Sequence, residues 1–193
     1  MPTPTDCSHF ELPLKTARLQ MQPLNLANFD AIFALCVHPD TCRYIRPAMT
    51  HEQVTDHIKD RQRPWAFDDG KWISMEVCCL GQDRVIGEVV FRMESRDDRR
   101  AEIGYRFHPD VWGKGYAIEA MHALTAMLID KLDLHKLIAY CDPGNKASTR
   151  LLERLGMQQE GCYREHYFVF DTWSDSAIFG LLSRDYKPQD ARV

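Results

Sequence analysis

Several features are scarce in this 193-residue chain, and each scarcity removes a class of function. No apolar run approaches the roughly 18 residues of a membrane-spanning helix, so no membrane partner is expected. Basic residues (24) do not outnumber acidic ones (28), and a formal charge of −4 gives no basic stripe for nucleic acid. Seven cysteines, at positions 7, 36, 42, 78, 79, 141 and 162, include no C-x-x-C pair and lie among apolar neighbours. Odd in number and without ligand spacing, they predict reduced thiols rather than a disulfide framework or a zinc site. Residues 1–6 are rich in Pro and Thr and lack the basic-then-apolar order of a secretory leader, which with the reduced thiols predicts a cytoplasmic protein. H-E-x-x-H is missing, because His51 and His57 stand six apart and fall on different helix faces; no metal is expected. G-x-S-x-G is missing too, which removes the serine-hydrolase elbow.

What is present reads as one domain over 16–187, between flexible tails at 1–15 and 188–193. Residues 16–23 (T-A-R-L-Q-M-Q-P) alternate as a first strand. Leu26, Phe29, Ile32, Phe33 and Cys36 fall at helical spacing behind a possible Asn25 or Asn28 cap. His38-Pro39-Asp40 stops that helix, and Thr50 with Gln53 makes a capping box for a second one reaching Arg61. Between them, 41–49 is a loop. Strands follow at 72–79, 84–93 and 101–107, the second of them apolar enough to be central. A helix from about Tyr116 places Ala117, Ala120, Met121, Leu124 and Leu128 on one face. A short strand at 136–141, a helix at 145–155 stopped by Gly156, and a hairpin turning at 171–175 complete the chain. The order βααβββαβαββ predicts an α/β (α+β) domain with a mixed, mostly antiparallel sheet and helices on both faces. The strands at 101–107 and 136–141 should lie side by side and parallel.

The chemistry is concentrated at 101–120, A-E-I-G-Y-R-F-H-P-D-V-W-G-K-G-Y-A-I-E-A. An alternating strand ends at His108-Pro109-Asp110, and Gly113 and Gly115 bracket Lys114 before the helix. Strand, glycine turn and helix start form a layout whose free first-turn amides can wrap a phosphate, although a tight connection without a ligand has the same spacing. A second constellation starts at Asn145, an N-cap candidate, with Ser148 on the same face as Leu151 and Leu152. By helix statistics alone, Asn145 caps and Ser148 bonds back to a preceding carbonyl.

W-G-K-G-Y-A at 112–117 resembles the pyrophosphate loop Q/R-x-x-G-x-G/A of the GNAT acyltransferase superfamily, with Gly115 and Ala117 in the last two places. Trp112 replaces the first, a departure usual in the RimJ/RimL-like N-terminal acetyltransferase branch. The T-x-R-L at 16–19 and the N-x-x-S leading to L-L-E-R-L-G-M at 145–157 resemble the same branch. The resemblance implies a GNAT-like fold and acetyl-CoA held by Phe107, His108, Trp112, Gly113, Lys114, Gly115, Tyr116, Ala117, Asn145 and Ser148. It also implies an oxyanion donor among the backbone N–H groups near Phe107 or His108, and makes Ser148 the group that protonates or hydrogen-bonds the departing thiolate. The loop at 41–49, with Arg43, Tyr44 and Arg46, would wall the acceptor site.

An amine nucleophile must lose a proton, and Glu102 is the first candidate base, Glu88 the second; the plain alternative for either is a solvated strand carboxylate. Cys141 stands near Asn145 but reads as a buried strand cysteine, not an acyl carrier. Lys114 would reach a phosphate or simply face solvent. The expectation is an acetyl-CoA-dependent N-acetyltransferase acting on a protein N-terminal amine or a small primary amine. The alternative is a non-catalytic acyl-CoA-binding or sensing module. Monomer and homodimer stay open.

Overall fold

The computed structural model describes residues 11–62, 65, 68–82 and 84–188. A two-residue strand, β1 (Leu14–Lys15), pairs with β2 (Leu19–Pro23), so the ordered fold begins inside the segment expected to be a flexible tail. Most of both expected tails, residues 1–10 and 189–193, lies outside the described residues. After a 3-10 turn capped by Asn25 come α1 (Phe29–Val37), α2 (Pro39–Cys42) and α3 (His51–Arg61). The helix α2 falls where only a loop was expected. Pro39 fixes its first turn, and the His38 ring accepts the Asp40 N–H at 3.2 Å. At α3 the Thr50 hydroxyl accepts from Gln53 N at 3.2 Å and Gln53 Oε1 accepts from Thr50 N at 2.8 Å, the capping box expected there.

The remaining elements are β3 (Ile73–Cys79), β4 (Val85–Ser95), β5 (Arg100–Phe107), α4 (Tyr116–Leu132), β6 (Lys136–Cys141), α5 (Lys146–Arg154), β7 (Gln158–Val169) and β8 (Thr172–Leu182). They build one eight-stranded sheet in the order β1-β2-β3-β4-β5-β6-β8-β7. Every neighbouring pair is antiparallel except β5 and β6, which run parallel as the crossover through α4 requires. The closing hairpin turns at Phe170–Asp171, where Val169 pairs with Thr172, and not over 171–175 as expected. Both turn residues have positive φ (53° and 56°), the two-residue geometry usually marked by Asn-Gly, and neither residue signals it.

The sheet has two unlike faces. On one, Met75, Val77, Val89, Phe91 and Ile103 pack with Met121, Leu124 and Leu128 of α4 and Leu152 of α5. Each such burial is worth about 1.5–3 kcal/mol. The alternate residues of the same strands, Ser74, Glu76, Glu88 and Glu102, are also buried, on the face partly covered by α1 and α3. The polar side of β5 is therefore not a solvated surface. Glu76 shows how such a group is satisfied: Gln22 and Asn28 each donate to it at 2.7 Å. His51 packs at a tilt against Phe29 and Phe33 while His57 turns inward to Glu88, so the two histidines diverge as their spacing required. No helix among the described residues is long and apolar enough to cross a membrane.

Candidate active site

β5 and β6 are joined at only three positions, Arg100 with Lys136, Ala101 with Leu137 and Glu102 with Ile138. Beyond them β5 continues to Phe107 and β6 to Cys141 without pairing, and a wedge opens between the strands. On its other side β5 stays paired with β4, Phe107 standing opposite Gly87. A Cβ at Gly87 would overlap the Phe107 ring, so glycine there lets the ring lie flat on β4. His108 N donates to Ile86 O at 2.9 Å, which makes Phe107–Gly87 a pair that exchanges no bonds. By alternation, the Tyr105 and Phe107 N–H groups point away from β4 into the wedge. Of the two amides proposed from sequence for the oxyanion, only that of Phe107 faces the opening. His108 is engaged elsewhere: its amide ends the β4 ladder and its ring accepts Asp110 N at 3.3 Å.

The glycine turn closes the mouth of the wedge. Gly113 and Gly115 adopt φ of 75° and 78°, the left-handed region that favours glycine. Gly115 is the N-cap of α4 and brings no side chain to its first amides, so those of Tyr116, Ala117 and Ile118 are left for another acceptor. Trp112 Nε1 donates to the Phe107 carbonyl at 2.7 Å and pins the loop to the strand end. Lys114 folds back, its Nζ donating to the Asp110 carbonyl at 2.8 Å. Sequence reasoning missed the brace behind the loop. Arg18 Nη1 donates to the Lys114 carbonyl at 3.0 Å, its guanidinium meets Glu119 at 2.6 Å, and it lies 4.7 Å over the Tyr116 ring. Thr16 Oγ1 donates to the same carboxylate at 2.6 Å. Burial opposes the charge on Glu119, but these bonds outweigh it and lower its pKa. The T-x-R-L spacing was the available signal.

At α5, Asn145 Oδ1 accepts Ser148 N at 3.1 Å, the capping role, which leaves its amide NH2 for a ligand. Among the described residues, Ser148 makes no back-bond to a preceding carbonyl. Its Oγ lies 2.9 Å from the Tyr105 hydroxyl, and Thr149 makes the back-bond instead, to Asn145 O at 3.3 Å. Burial pushes the Tyr105 pKa up to about 12, so the phenol holds its proton. Burial also raises the pKa of Cys141, which is a poor nucleophile there.

The two candidate bases prove different. Glu102 Oε2 accepts a hydrogen bond from Arg92 Nε at 2.8 Å and lies 2.6 Å from Arg92 Nη2 in the same ion pair, while its Oε1 has no protein partner among the described residues. Burial raises its pKa against the pull of Arg92. Glu88 is almost wholly buried. Arg106 donates Nε at 2.7 Å and also Nη2 to its Oε2, and His57 Nε2 meets Oε1 at 2.8 Å. Burial works against that charge, but Arg106 and His57 prevail and hold the carboxyl well below the usual carboxylate range. A carboxylate so tightly held is a weak proton acceptor. Burial also lowers the pKa of His57.

A cleft of about 1360 Å³ runs from the glycine turn through the wedge to this polar face, lined by Gly115, Asn145, Ser148, Tyr105, Glu102 and Glu88 among others. Its walls join every site residue expected from sequence except His108.

Residues 18–158 match the acetyltransferase (GNAT) domain family. An uncharacterized N-acetyltransferase, p20, of Bacillus licheniformis is 30% identical over 177 residues, covering 90% of this chain and 97% of that protein. The [ribosomal protein uS5]-alanine N-acetyltransferase of Escherichia coli is 30% identical over 86 residues, 45% of this chain and 44% of that one. A GNAT-family acetyltransferase structure from Bacillus anthracis superposes with a TM-score of 0.79 at 26% identity, covering 89% of this chain and 98% of that one. The chain belongs to the GNAT acetyltransferase family.

Proposed function

We propose that this N-acetyltransferase takes acetyl-CoA into the wedge between β5 and β6 and passes the acetyl group directly to a primary amine, on a protein N-terminus or a small molecule. The observation that carries the reading is the open edge of β5. Two inward-facing amides, Tyr105 and Phe107, stand between a glycine-capped helix start and the Ser148–Tyr105 pair. Acetyl-CoA supplies an activated thioester, and every other task falls to the chain.

The amides of residues 116–118 and the helix dipole suit the pyrophosphate. The Phe107 N–H is placed to meet the oxyanion. Glu102 Oε1, which has no partner among the described residues and belongs to a carboxylate with raised pKa, takes the proton the amine must lose. As the carbon–sulfur bond breaks, the Ser148 hydroxyl donates to the thiolate while accepting from the Tyr105 hydroxyl. The reduced cysteines and the use of acetyl-CoA suit the cytoplasm.

The test is thiol release from acetyl-CoA by purified protein, with and without a mixture of primary amines and N-terminal peptides. Release that depends on the amine is expected. Release at the same rate without amine, or none at all, would contradict the reading.

A further inference from the structure

On the polar face beside the wedge, two guanidinium groups, Arg106 and Arg61, meet the single carboxylate of Glu88. Both oxygens of Glu88 are taken, by Arg106 and His57. Arg61, at the end of α3, comes no closer than 3.9 Å to Glu88, and its hydrogen bond is a long one, 3.3 Å to Ser74 Oγ. Its side chain is only 16% exposed, so water does little to make up the deficit. Burial lowers the Arg61 pKa and the Glu88 and Asp60 charges oppose the shift, while the neighbouring Arg106 and Arg46 charges add to it. Arg46 belongs to the exposed loop after α2 and shares with Arg61 a groove that is also lined by Asp56 and Asp60. Neither aspartate pairs with either guanidinium among the described residues. Arg61 and Arg106 thus share one carboxylate, with the Arg46 charge close enough to act on Arg61, in a cleft where partial burial strengthens their field.

The position along β5 gives this charge a meaning. Glu102, Gly104 and Arg106 follow one another on the same face, each about 7 Å from the next. Gly104 has no side chain and leaves room between the base candidate and the arginines; a Cβ there would press on Val90 at 3.1 Å. An amine seated over Gly104 has Glu102 on one side and the guanidinium cluster on the other.

We propose that the acceptor carries an anionic group, a carboxylate or a phosphate, a few bonds from its amine, and that Arg61 and Arg46 receive it. This deepens the acetyl-transfer reading and rests on it. A planar guanidinium fork suits either anion, and each charge-assisted bond adds discrimination against a neutral acceptor.

The experiment compares matched acceptors under saturating acetyl-CoA: amino acids against their amides, phosphoethanolamine against ethanolamine, and short peptides with Asp or Asn after the N-terminal residue. The pairs separate carboxylate from phosphate, and small molecule from peptide. The anionic member of at least one pair should show about tenfold or higher kcat/KM, the size of one charged hydrogen bond. Arg61→Gln should collapse that ratio. Arg46→Gln, at an exposed position that tolerates change, should reduce it without raising the KM for acetyl-CoA. Equal rates within every pair would overturn the proposal while leaving acetyl transfer intact. A raised acetyl-CoA KM in Arg46→Gln would assign the arginines to the phosphates of CoA and also overturn it. Thiol release with no acceptor at all would remove the acetyl-transfer reading, and the proposal with it.

Discussion

The Tyr105 hydroxyl lies 2.9 Å from Ser148 Oγ, joining the open edge of β5 to the first turn of α5 across the wedge. A phenol whose pKa is pushed up to about 12 stays protonated, so it can donate to the serine as the serine donates onward. Ser148→Ala should therefore lower kcat roughly a hundredfold, the lower range of general acid catalysis, with acetyl-CoA affinity little changed. Steady-state kinetics beside a binding titration checks this. An equal loss in both would make Ser148 a binding group only. Tyr105→Phe should reproduce the direction with a smaller loss.

Glu102 gives a pH signature. Its pKa is raised by burial, so the acid limb of the wild-type rate should fall through a value above the ordinary carboxylate range, as the carboxylate takes up its proton. Glu102→Gln should remove that limb. Its rate should climb instead with the free fraction of the acceptor amine, so the deficit shrinks toward alkaline pH. A uniform deficit across pH would assign the proton to another acceptor.

Glu88 should act through stability. Its folded-state pKa is depressed, so its contribution is present above the unfolded carboxylate value and lost as pH falls through the folded one. Glu88→Ala leaves Arg106 buried without its counter-charge and should cost on the order of 3–5 kcal/mol at neutral pH. Denaturant unfolding at pH 7 and at acid pH measures this, and the gap between the proteins should narrow in acid. A fully stable Glu88→Ala that fails only in turnover would restore Glu88 as a base.

Arg18 positions the glycine turn without reaching the reacting atoms. Arg18→Ala removes its bonds to the Lys114 carbonyl and Glu119, and should raise the KM for acetyl-CoA about tenfold while kcat at saturation changes little. A fall in kcat with unchanged KM would contradict this role.

Much of the architecture was legible because local signals agreed with the tertiary solution. The Thr50–Gln53 box, the Gly156 stop with φ of 95° and the 101–107 alternation all stand where periodicity put them. The misses have physical reasons. Phe170 and Asp171 adopt positive φ without a glycine to announce it, and α2 depends on a histidine cap that composition does not distinguish from a loop. At the site, the loop and the Asn145–Ser148 helix start were readable as local motifs. Tyr105 carries no local signal of its role, because its bond to Ser148 spans 43 positions. The separation of Glu102 from Glu88 was invisible, because it depends on Arg92, Arg106 and His57 arriving from other elements.

The most direct measurement is calorimetric titration of acetyl-CoA into wild-type protein and into Gly115→Asp. The substitution places a side chain at a φ of 78° and a negative charge at the uncapped start of α4. The wild type should bind one equivalent, and the variant should lose at least about a hundredfold in affinity while unfolding as cooperatively as the wild type. Equal affinity in the two proteins would place the CoA phosphates away from this loop and contradict the account.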